Sequence, residues 1–137
     1  MAAVARSVAT LRVMGDDLDP AEVSALFGVE PTFARRKGEA NSSRSGSFPA
    51  RTGNWRLEVK PTEPEDVNSQ VAEILARLPE DPRVWAELGR RFRVELFCGW
   101  FLNDSNQGVA ISAANLRALG ERGIELQLDI YGPETDA

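Results

Sequence analysis

Asp16, Asp17 and Asp19 place three carboxylates within four residues of "MGDDLDPAEV", enough negative charge to hold a hard cation or to run acid–base chemistry. The spacing argues against a calcium loop. Counting from Asp17, loop position six holds Glu22 where a glycine is needed, and position twelve holds Gly28 where a bidentate Glu is needed. "NDSNQG" fails the same test, because position twelve after Asn103 is Ala114. Helix entry accounts better for the aspartates. Asp19 before Pro20 reads as an N-cap, Glu22 follows three residues later, and neighbouring carboxylates favour the positive end of a helix dipole.

Nucleophile and general-base chemistry is constrained by what is missing. The chain has no histidine, so Ser–His–acid and Cys–His arrangements cannot form within it. Its one cysteine, Cys98, lies in "VELFCGWF", a strand pattern in which Val94, Leu96, Cys98, Trp100 and Leu102 share one side. That side reads as core, and a buried thiol without a neighbouring base behaves as a small hydrophobe. One thiol and no imidazole also disfavour a zinc site, so no catalytic residue, metal or cofactor is assigned. A carboxylate-dependent enzyme stays open as an alternative.

Charge distribution points instead to binding. The whole chain carries −5, yet residues 35–56 hold Arg35, Arg36, Lys37, Arg44, Arg51 and Arg56 against Glu39 alone. Six cations against one anion is +5 locally, which leaves −10 on the rest. Arginine offers paired donors to carboxylates and phosphates, so Arg35, Arg36, Lys37 and Arg51 are the candidate ligand contacts for a small anion. No P-loop or dinucleotide glycine spacing accompanies them, and the overall acidity argues against nucleic acid. The side of the Cys98 strand away from the core runs Arg93, Glu95, Phe97, Gly99, Phe101, changing from polar to aromatic. A helix, a loop or a partner must cover it. Phe97, Phe101 and Tyr131 are therefore the candidate interaction surface, with self-association or a protein partner as occupant.

The elements that must position these residues follow from periodicity. "VATLRVM" alternates as a strand, Pro20 to Phe27 form a short helix ended by Gly28, and "GEANSSRSGSFPARTG" reads as a loop. We expect residues 38–53 to be a flexible basic loop. "NWRLEVK" is a strand with Trp55, Leu57 and Val59 inward. Thr62 and Glu65 have capping-box spacing before a helix with Val67, Val71, Ile74, Leu75 and Leu78 on its apolar face. Asp81-Pro82 opens another helix carrying Trp85 and Leu88. After the 92–102 strand, "NDSNQG" predicts a turn between antiparallel strands, leading into a strand at "VAISA". Ser112 then caps a helix ended by Gly120 and Gly123, and "IELQLDIY" is the last strand. The predicted fold is α+β: a single domain over 1–137 with an ordered core over 8–132. It has a mainly antiparallel sheet of about five strands with helices on one face, and strand–helix–strand units that admit a ferredoxin-like pseudo-repeat.

In this order, "LRVMGDDLDPAEVSALFGVEPT", "RRKGE", "GNWRLE", "WAELGRRFRVELFC" and "LGERGIELQLDIYG" resemble the bacterial domain of unknown function 4279 family across residues 10–132. The resemblance implies a small bacterial domain and brings no activity, ligand or catalytic residue. With 42% hydrophobic residues, one cysteine and no apolar run near the ~18 residues that span a bilayer, a cytoplasmic chain with no membrane association is expected. The functional expectation is a non-catalytic binding or protein-interaction domain. An immunity-like protein that neutralises a basic toxin is one form of it, and a sensor for a small anionic ligand through residues 33–56 is the alternative.

Overall fold

A computed structural model describes residues 4–43 and 46–134. The main sheet uses β1 (Arg6–Gly15), β2 (Phe33–Arg35), β5 (Gly53–Glu58), β6 (Arg93–Phe101) and β7 (Glu125–Tyr131) in the order β2-β5-β1-β6-β7. Between β2 and β5, β3 (Ala40–Ser43) and β4 (Gly46–Pro49) form a separate two-stranded ribbon. Residues 38–53, expected as one loop, thus contain paired strands; Arg44 lies outside the described residues.

Helix boundaries follow local chemistry. In α1 (Pro20–Phe27) the Asp19 carboxylate accepts the Ala21 amide at 3.0 Å, and Gly28 closes the helix at φ 69°, where a side chain would be strained. In α2 (Val67–Ala76) the cap is Asp66, four residues later than the Thr62 spacing predicts. The reason lies in β1. Ser7 and Thr62 exchange both backbone hydrogen bonds at 3.0 Å, so Thr62 is held extended and its hydroxyl accepts the Asp66 amide instead. Asp81 caps α3 (Pro82–Arg91) and Ser112 caps α4 (Ala113–Glu121), as their sequence signals require. Gly120 lies inside α4, and Gly123, at φ 69°, follows its end.

Two expectations fail together after β6. "VAISA" is not a strand, and β7 runs parallel to β6 instead of following an antiparallel turn. The amide of Asn68 explains the first. It donates to the Ala110 carbonyl at 2.8 Å and accepts from the Ser112 N–H at 2.9 Å, so a side chain satisfies backbone groups that a neighbouring strand would otherwise take. α4 is then the crossover that parallel pairing needs. The second copy of the proposed pseudo-repeat therefore lacks its opening strand. The strand–helix–strand plan appears elsewhere, as β1-α1-β2 with β5 slotted between the two strands, and as β5 leading through α2 and α3 to β6. That is the split arrangement of ferredoxin-like sheets, extended by β7.

All four helices pack against the side of the sheet that carries Ala9, Leu11, Val13, Trp55, Leu57, Leu96 and Cys98, each buried. Val23, Phe27, Val71, Ile74 and Leu88 close the core from the helix side. The rings of Trp55 and Trp85 both lie about 5 Å from that of Phe27, at 5.0 and 5.2 Å, and their N–H groups donate to Ser24 Oγ and the Pro79 carbonyl. Among the described residues, no helix is long and apolar enough to cross a membrane.

Candidate functional site

With the helices on one side, alternation sends every second strand residue to a face that no helix among the described residues covers. Register then decides what stands beside what. One row crosses all five strands: Phe33 on β2, Arg56 on β5, Arg12 on β1, Glu95 on β6 and Glu125 on β7. Two guanidiniums are direct cross-strand neighbours, an arrangement that costs stability unless an anion offsets it. Arg35, two residues along β2 from Phe33, adds a third cation opposite Asn54.

On the β6 side the charge is answered. The Arg12 guanidinium donates to Glu95, which is 2% exposed, and Arg93 approaches the other oxygen of the same carboxylate at 3.6 Å. On the β2 side it is not. The side chains of Arg35 and Arg56 make no hydrogen bond or ion pair among the described residues. Nε of Arg12, Arg35 and Arg56 and Nη1 of Arg35 are all buried without an acceptor. The planes rest on aromatic rings instead: Arg12 over Phe97 at 4.5 Å, Arg35 and Arg56 over Phe33 at 5.3 Å each. Such stacking recovers part of the desolvation cost but provides no acceptor for the N–H groups. Burial, and then the charge of Arg12, hold the Arg56 pKa below its ordinary value; Glu58 opposes this and Arg35 adds to it.

A shallow pocket of about 350 Å³ opens beside this cluster, lined by Arg6, Thr10, Arg12, Arg56, Glu58 and Phe97, with Val8 and Pro61 among its apolar walls. Gly99 shapes its neighbourhood. A Cβ there would lie 2.8 Å from Val8 Cγ2, so only glycine lets β1 seat Val8 between Phe97 and Phe101.

The four basic residues expected to bind an anion are not brought together. Arg35 joins the sheet face. Arg36 donates to Asp19 at 2.9 Å and Lys37 to Asp16 at 3.1 Å, so both tie the end of β2 to the start of α1. The Lys37 hydrogen bond, with one from Thr52, holds the Asp16 carboxyl below its usual range. Arg51 is exposed and precedes β5, outside the row that crosses the sheet. Phe97 and Phe101 lie on the helix-free face, where Tyr131 stacks on Phe101 at 4.7 Å and 11° and Arg6 sits over the same ring at 5.1 Å. The question of cover raised by Phe97 has a local answer, since arginine covers it and a helix does not.

Sequence reasoning gave Arg6 and Arg12 no binding role, and it placed Phe33 and Arg56 within the 33–56 segment without naming them as contacts. The available signal was an arginine flanked by buried apolar residues in both "LRV" and "WRL", but which arginines meet depends on strand order. Cys98 is on the opposite side, fully buried, with its thiol pushed up to about 12 by desolvation. No group of three or more His, Cys, Asp or Glu among the described residues is placed to hold a metal ion.

Comparison with known proteins gives one match. The profile described as "Domain of unknown function (DUF4279)" covers residues 5–133 of the 137, and the chain belongs to that family. Neither the curated proteins nor the solved structures contain a match.

Proposed function

Proceeding from membership of a family that carries no assigned activity, we propose that this chain is a non-catalytic binding domain. Its ligand is a small anion held on the helix-free face between Arg12, Arg35 and Arg56. One observation carries the reading. Three half-buried guanidiniums adjoin, and two of them, Arg35 and Arg56, have no acceptor among the described residues. A carboxylate or phosphate would offset the Arg12–Arg56 repulsion and accept the outward N–H groups, with charge-assisted bonds stronger than neutral ones.

The surroundings support a small ligand over a long polyanion. Glu58 on β5 lines the pocket, and Glu95, Glu125 and Asp129 make the β6–β7 half of the same face acidic, so the positive region is confined to part of three strands. The pocket's apolar wall of Val8, Pro61 and Phe97 favours an anion with a carbon body over bare phosphate.

Calorimetry at low ionic strength, using pyrophosphate, citrate and a nucleoside monophosphate as probes, tests this. At least one should bind, and Arg56→Gln should weaken it at least ~10-fold, the loss expected for a charge-assisted contact of about 1.5–3 kcal/mol. Arg51→Gln, which alters an exposed cation outside the cross-strand row, should leave binding unchanged. Absence of binding by all three at millimolar concentration, or equal affinity in Arg56→Gln, refutes the assignment.

A further inference from the structure

A second surface, separate from the arginine face, lies at the sheet's far edge. β7 is terminal in the strand order, and among the described residues its outer side pairs with no strand. The opposite edge, β2, is only three residues long. β7 is seven residues, pairs with β6 without a bulge and contains no Lys or Pro; its two charges, Glu125 and Asp129, both lie on the side of the sheet away from the helices, so its helix-side edge is wholly apolar. Apolar exposure collects in the same place. Leu116 on α4 and Leu128, Ile130 and Tyr131 on β7 are the exposed large hydrophobics of the described chain, each between 43% and 55% accessible. An unpaired strand edge bordered by the molecule's apolar surface has the character of an interface.

We propose that a second copy of this chain occupies it, with the two β7 strands pairing antiparallel about a two-fold axis at Leu128. The sequence of β7 selects this partner and this register. Leu128 is the midpoint of Glu125–Tyr131, so full overlap centres there. Leu128 then meets itself, Leu126 meets the partner's Ile130, Gln127 meets the partner's Asp129, and Glu125 meets the partner's Tyr131. Apolar residues stay on the helix side, and no like charges stand directly opposite. Centring on Asp129 would oppose that carboxylate to itself, and centring on Gln127 would oppose Glu125 to the partner's Asp129. A two-fold axis running along parallel strands would send equivalent side chains to opposite faces of the sheet, so parallel pairing could not close as a symmetric dimer. In the favoured register Glu125 and the partner's Asp129 remain diagonal neighbours, which makes the dimer weak at low salt and tighter as salt screens them.

Cysteine scanning reads the register directly. Opposed residues in an antiparallel pair have Cα atoms ~4.5–5.5 Å apart, within disulfide reach, so Leu128→Cys should cross-link to itself under mild oxidation. Ile130→Cys faces the partner's Leu126, and its own copy lies further along the strand, so its covalent dimer should be at least ~10-fold less abundant. The native Cys98 is fully buried and stays out of the reaction. In sedimentation, the wild type should show a concentration-dependent dimer that Ile130→Lys abolishes while circular dichroism is unchanged. Three results would each overturn the proposal: a wild-type monomer up to millimolar concentration, equal cross-linking at 128 and 130, or a dimer that survives Ile130→Lys.

Discussion

Neutralising Glu95 should destabilise the protein and strengthen anion binding at once, two effects of opposite sign from one substitution. The Glu95 side chain is 2% exposed and that of its partner Arg12 is 25% exposed. Removing one member of a fully buried pair costs about 3–5 kcal/mol. Glu95→Gln keeps a hydrogen-bond acceptor and Arg12 keeps some solvent, so about 2–3 kcal/mol is expected. The urea midpoint should fall with an unchanged slope, and the melting temperature should drop by roughly 5–12 °C. Binding responds the other way. A ligand seated between β5 and β1 would lie about one and a half strand spacings, roughly 8 Å, from a carboxylate on β6. That carboxylate opposes it by roughly 1 kcal/mol at an effective dielectric constant of about 40, so its loss should tighten the probe anion about fivefold. A double-mutant cycle with Arg12→Gln isolates the pair, with a coupling of at least ~1 kcal/mol expected. A stability change below ~0.5 kcal/mol, or weaker anion binding in Glu95→Gln, would mean that the row across the sheet is not electrostatically organised as described.

Three further outcomes follow from single residues. Burial pushes the Cys98 thiol up to about 12 from an ordinary 9.0. It should resist aromatic disulfide reagents in the native state and react fully in urea. Because the neutral thiol is favoured by folding, its contribution is complete below pH 9. It is lost as pH rises from 9 towards 12, by up to about 4 kcal/mol, and Cys98→Ala should remove that component of alkaline unfolding. Gly99→Ala would drive a Cβ to 2.8 Å from Val8 Cγ2 and should cost about 1–3 kcal/mol by urea titration, most of it restored by Val8→Ala. Asp19→Ala removes both the α1 cap and the Arg36 partner and should cost about 1–2 kcal/mol, with far-UV circular dichroism nearly unchanged.

What could be read in the chain beforehand divides by the distance over which the deciding interactions act. Caps and strand faces depend on a few neighbouring residues, so Asp19, Asp81, Ser112 and the inward set Trp55, Leu57, Leu96 and Cys98 were legible in order. Thr62 and "VAISA" misled because residues far away in sequence claim their backbones, Ser7 at a separation of 55 and Asn68 at 42. The charge pattern was misleading for the same reason, with larger consequences. Summing consecutive residues correctly located a cationic excess at 35–56, yet Arg36 and Lys37 are answered by Asp19 and Asp16, 17 and 21 residues upstream. Arg12, which stands outside that segment, is the direct neighbour of Arg56. A run of basic residues reports charge along the chain, whereas an anion responds to charge across the sheet. Strand order is what converts one into the other. Once β1 is known to lie between β5 and β6, the only anion facing Arg12 across the β6 ladder is Glu95, and on the β5 side its opposite number is another guanidinium. The unanswered charge therefore arises from topology, and a substitution that leaves every local signal intact, Glu95→Gln, is the one that should expose it.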